Sequence, residues 1–128
     1  MAKTAISKDR ERMLNGAIAY LRFKGYHEIK TTIKGFPPPQ AIFRKASEAG
    51  YVPDMIAEKD FGTFIFELLD QDSLDNWDDR LTKWEMFQEY VTRKSGKFYF
   101  IAYSDQCEEI SERIEKLDFT PGIVRINR

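Results

Sequence analysis

The chain has one cysteine and one histidine, Cys107 and His27, and this scarcity removes two chemistries at once. An internal disulfide needs a second cysteine, and a structural zinc site needs four ligands where this chain has two of the usual soft donors. Long apolar runs are lacking as well. Nothing approaches the roughly 18 consecutive apolar residues of a membrane span, and Met1–Arg10 holds no apolar stretch of the signal-peptide kind. A cytoplasmic chain with no membrane partner is the expectation. Internal repeats and low-complexity tracts are absent too, and the net charge is only −1.

What is present suits a folded protein. The 128 residues are the size of one domain, and a 42% hydrophobic share with ten Phe, six Tyr and two Trp argues against disorder. Charge is unevenly spread. Residues 1–50 carry ten Lys or Arg against four Asp or Glu, a net +6, whereas residues 51–128 carry ten against seventeen, a net −7. A basic stretch is a footprint that nucleic-acid partners use, although ordinary solvated faces produce most such imbalances.

Residues 8–24 predict an amphipathic helix, with Met13, Leu14, Ala17, Ile18 and Leu21 on one face, Ser7 or Asp9 as the cap and Gly25 as the stop. From Tyr26 to Lys34 the pattern alternates, placing Ile29, Thr31 and Ile33 on one side of a strand. Gly35 and Pro37–Pro39 end it in a loop. Residues 40–49 admit either a short helix or a strand. Val52–Glu58 and Thr63–Leu69 read as a hairpin, followed by a helix over 79–94 and a strand over Phe98–Tyr103. Asp105 with Glu108 resembles a capping box for a further helix bearing Cys107, Ile110, Ile114 and Leu117, and Ile123–Ile126 forms a last strand. The strand, helix and strand from 63 to 103 have the lengths of a right-handed crossover with parallel strands. These elements together make an α/β sandwich, a mixed sheet flanked by helices.

The hairpin register isolates one pair of residues. A loop of two residues (Asp60, Phe61) or four (Lys59–Gly62) makes paired numbers sum to 121, which sets Asp54 opposite Glu67. Opposed residues share a face with Cβ atoms about 4.5–5.5 Å apart, and like charges there repel. A cation, a Lys or Arg from elsewhere, or a shared proton must offset that repulsion. Removing one charge, as in Asp54→Asn, should then stabilise the metal-free chain. Oxygen ligands of this type suit Mg²⁺ or Mn²⁺. Ionisable pairs are also often purely structural, as salt bridges near a sheet rim.

Around these residues the chain resembles a known family. The helix ending at Gly25-Tyr26, then Val52-Pro53-Asp54, Ile56-Ala57-Glu58 and Phe64-Ile65-Phe66-Glu67, looks like the core of the PD-(D/E)XK nuclease superfamily, over roughly residues 8–103. The resemblance implies a restriction-endonuclease-like αβββαβ sandwich and a single nuclease-like domain over residues 1–128. It also implies Mg²⁺- or Mn²⁺-dependent hydrolysis of DNA. Asp54 and Glu67 would be the metal-binding acids, with Glu11 as the acid that some members add from the first helix. Two residues after the glutamate, where the family has its lysine, stands Leu69. In some members the lysine has moved to the following helix, and Lys83 is the corresponding residue here. Lys8, Arg10, Arg12, Arg22 and Lys24 would contact phosphates.

The acidic run Asp70, Asp72, Asp75, Asp78 and Asp79 is awkward for a DNA groove; capping of the next helix by Asp75, Asp78 or Asp79 is its simplest use. His27 reads as structural and Cys107 as core. A chain that has lost catalysis and serves as a nucleic-acid- or protein-binding module is the competing expectation. Tyr20, Phe36, Trp77 and Tyr90 would suit an interface in a homodimer or larger complex if exposed.

Overall fold

The computed structural model describes residues 7–43 and 50–128. Helix α1 (Lys8–Phe23) starts at Ser7, whose Oγ accepts the Arg10 N–H at 3.1 Å, and stops before Gly25 at φ +91°. Its buried stripe is the expected one, Met13, Leu14, Ala17, Ile18 and Leu21. Next come β1 (His27–Thr31), a two-stranded ribbon of β2 (Ile42–Phe43) and β3 (Gly50–Tyr51), and the hairpin of β4 (Met55–Lys59) and β5 (Gly62–Leu68). The ambiguity over 40–49 resolves to strand at Ile42–Phe43; residues 44–49 lie outside those described.

A short helix, α2 (Gln71–Asp75), precedes α3 (Trp77–Arg93), β6 (Phe98–Tyr103), α4 (Cys107–Ile114) and β7 (Gly122–Ile126). The main sheet has the order β1-β4-β5-β6-β7, antiparallel across β1, β4 and β5, and parallel across β5, β6 and β7. The parallel crossover is as expected, and α2 is an addition to it. The capping box is not formed. Ser104–Gln106 makes a 3₁₀ turn, α4 begins after it without a side-chain cap, and Asp105 pairs with Arg128 at 2.8 Å.

Each face of the sheet carries its own core. On one side α1 packs against Met55, Ala57, Phe66, Leu68, Ile101 and Val124. On the other, α3 and α4 bury Trp84, Phe87, Val91 and Ile110 over Ile65, Phe98 and Phe100. Full burial of such side chains contributes roughly 1.5–3 kcal/mol each.

The hairpin turn fixes the strand register. Asp60 and Phe61 adopt φ +50° and +66°, the two positive values of a type I′ turn. Lys59 pairs with Gly62 and Met55 with Phe66, so paired numbers sum to 121. The turn is also clamped from outside. A side chain at Gly62 would strike the Ser95 carbonyl, and one at Gly96 would strike the Thr63 carbonyl.

Candidate functional site

Continuing the register one step beyond β4 puts Asp54 beside Glu67, and the two residues interlock. The Asp54 backbone N–H donates to Glu67 Oε2 at 2.6 Å, while the Leu68 N–H donates to Asp54 Oδ2 at 2.9 Å. Thr31 Oγ1 holds the Asp54 carbonyl from the neighbouring strand at 2.8 Å. Glu67 is 1% exposed. It shares the sheet face of Ile65, and on that face the inner stripe of α3 delivers Lys83, one turn before Phe87. The Lys83 ammonium lies 2.9 Å from Glu67 Oε1.

A second cation completes the cluster. Arg10, in the first turn of α1, donates from Nη2 to Asp54 Oδ1 at 2.8 Å and from Nη1 to Asp70 Oδ2 at 2.9 Å. Asp70 in turn caps α2, accepting the Ser73 N–H at 3.0 Å. None of Asp75, Asp78 and Asp79 takes the capping role expected of them: Asp70 caps α2 instead, Asp78 and Asp79 sit in the first turn of α3, and the residue before α3, Asn76, makes no capping bond, its side-chain amide donating to Asp72.

Charge balance in the cluster hinges on one proton. Asp54 and Asp70 balance Arg10 and Lys83, so the cluster is neutral only while Glu67 stays protonated. Burial foremost, and then the Asp54 charge, push the Glu67 carboxyl up to about 8, against the pull of Lys83 and the Asp54 N–H. Burial alone would lower Arg10, but the two carboxylates outweigh it and hold the guanidinium above its ordinary value. Burial would likewise raise Asp70; the Ser73 N–H and Arg10 prevail and lower it.

No protein-family model, curated protein or solved structure matches this chain. Its functional reading rests on the site itself.

The fold therefore brings together Asp54, Glu67 and Lys83, and separates most of the other expected residues from them. Glu11 is exposed, and among the described residues no three His, Cys, Asp or Glu side chains are grouped so as to hold a metal ion. Neighbouring helical residues point about 100° apart, so once Arg10 faces the cluster Glu11 cannot. Lys8 and Arg12 are exposed on α1. Arg22 lies over the Phe36 ring at 5.2 Å and Lys24 over Tyr20 at 5.7 Å. Twelve residues of helix put Arg22 about 18 Å from Arg10, out of reach of one phosphate.

Leu69 is fully buried with Leu74 and Trp84, in a core that has no room for an ammonium. The gain expected from Asp54→Asn also changes sign, because both Asp54 carboxylate oxygens accept hydrogen bonds. Neither Arg10 as a bridge nor Asp70 as its second anchor is apparent from sequence. The Asp70-x-x-Ser73 spacing of an N-cap is the one local signal for the latter.

The donor set is all oxygen, two carboxylates on adjoining strand ends, and suits a hard divalent ion. Such an ion would be held by Asp54 Oδ1 and Glu67, in positions where Arg10 and Lys83 now supply the positive charge.

Proposed function

We propose that this cluster is the active site of a Mg²⁺- or Mn²⁺-dependent phosphodiester hydrolase acting on DNA. The observation that carries this reading is the Lys83 ammonium 2.9 Å from buried Glu67, which supplies from α3 the cation that Leu69 does not. A bound ion would polarise the phosphoryl oxygen and acidify an attacking water. Asp54 and Glu67 would hold that ion. Lys83, anchored on Glu67, would donate a hydrogen bond to the water or to the developing phosphorane oxygen. Arg10, whose guanidinium fork now spans Asp54 and Asp70, would offer Nη2 to a non-bridging phosphate oxygen on leaving Asp54, while Nη1 stays on Asp70.

The competing reading, a binding module without catalysis, draws on the same Arg10 bridge, since every carboxylate oxygen of Asp54 and Glu67 already has a protein donor. Incubating DNA with the chain and Mn²⁺ decides between them. Cleavage abolished by Asp54→Asn supports the hydrolase; intact DNA at all Mn²⁺ concentrations, with the chain folded, favours the module.

A further inference from the structure

On the α1 face of the sheet, opposite the face that carries Glu67, and toward the hairpin end of β5 lies a surface that the carboxylate cluster does not use. Three lysines there sit over three tyrosines. Lys24 lies over Tyr20 at 5.7 Å, Lys59 over Tyr26 at 5.0 Å and Lys97 over Tyr99 at 5.4 Å. Tyr26 and Tyr99 are contiguous, because both pack on the Phe66 ring with centroids 5.5 and 5.2 Å away, and Tyr20 lies in the last turn of α1, just before Tyr26. From β1 across β4 and β5 to β6 the strip spans about 15 Å. Asp60, next to Lys59 in the hairpin turn, adds a carboxylate at the edge of the strip.

The hairpin tip beside this strip carries an oddly placed ring. Phe61 is fully exposed, at 104%, and its φ of +66° is a conformation that costs a bulky residue energy where glycine would cost none. A phenylalanine with no buried surface to gain, held in a strained turn next to lysines, is poorly explained by folding alone.

We propose that this end of the molecule binds single-stranded nucleic acid, with lysines 24, 59 and 97 on the phosphates and Phe61 as a stacking platform for a base. The pattern of ammonium groups interleaved with aromatic faces is the one such strands require, since every base has a face to stack and every phosphate a charge to neutralise. Each tyrosine becomes a second platform when its lysine turns to a phosphate. Binding here is independent of hydrolysis at the carboxylates.

The test is fluorescence anisotropy of a fluorescein-labelled oligothymidylate, in EDTA so that cleavage plays no part, from about 50 mM salt upward. The wild-type chain is expected to bind with strong salt dependence. Phe61→Gly, which removes the ring and suits the turn, should weaken binding roughly 5- to 150-fold, the range of one base–aromatic stack, without lowering the melting midpoint. The double variant Lys59→Ala, Lys97→Ala should reduce the slope of log affinity against log salt by about 1.4. Absence of binding at low salt would overturn the proposal, as would unchanged affinity in Phe61→Gly. Equal affinity for duplex DNA, or equally tight binding to phosphatidylserine vesicles, would overturn it too.

Discussion

Lys83 reaches from the second turn of α3 to within 2.9 Å of Glu67, a residue sixteen positions earlier on β5, and is the only side-chain cation that contacts it among the described residues. If hydrolysis occurs, that contact should carry it. Lys83→Ala is expected to lower the Mn²⁺-dependent cleavage rate by about 10²–10³, the usual cost of one preorganised donor at a developing oxyanion. Single-turnover cleavage of the two proteins at saturating Mn²⁺ measures this. An unchanged rate would remove Lys83 from the chemistry. Leu69→Lys is not the corresponding rescue here: it drives an ammonium into the core beside Trp84 and should mainly lower stability.

The Glu67 proton makes stability depend on pH. With a folded value of about 8 against an ordinary 4.5, the native state holds more protons than the unfolded chain between those limits. Stability therefore falls as pH rises through that window, by at most about 1.4 kcal/mol per unit, and levels off above it. Urea midpoints at pH 5, 7 and 9 should show the fall. Glu67→Gln should flatten it and be relatively most favourable at pH 9. The same slope in both proteins would mean that Glu67 is already ionised at neutral pH.

Arg10 and a divalent ion compete for Asp54 Oδ1. Arg10→Ala should thus lower the metal-free melting midpoint, since two charge-assisted hydrogen bonds go, yet enlarge the upward shift produced by Mn²⁺. Differential scanning fluorimetry with and without Mn²⁺ reads both quantities. A smaller shift in the variant would instead make the guanidinium a helper of metal binding.

Asp54→Asn is expected to abolish the Mn²⁺ shift and to cost about 1–2 kcal/mol without metal, because an amide cannot accept from both Leu68 N–H and Arg10 as a carboxylate does. Metal-free urea denaturation tests the second part. A gain in stability would show that Asp54–Glu67 repulsion outweighs those two bonds.

Much of the fold and of the cluster is legible in the residues, and the rest is hidden for a physical reason. The Asp54–Glu67 pairing comes from the length of one turn, since strand side chains alternate strictly and a two-residue loop leaves no freedom. The β5–β6 crossover comes from element lengths. Lys83 is reached through the resemblance alone, because its contact with Glu67 depends on how α3 lies on the sheet, which no local pattern encodes. The choice between Arg10 and Glu11 fails for a similar reason: both are polar neighbours on α1, and only the azimuth of that helix, set by Met13, Leu14 and Ala17, decides which meets the carboxylates. Asp70 looks like surplus acidity in the sequence because its two partners, Arg10 and the Ser73 N–H, come from separate helices.

The turn at Asp60–Phe61 is solvent-exposed, the kind of place where chains usually accept insertions and deletions freely. Here it acts as a ruler. One added residue would slide β5 by a single position, turn Glu67 toward the α1 side and carry the Gly62 contact with Ser95 out of alignment. Length at this turn is therefore fixed more tightly than its exposure suggests.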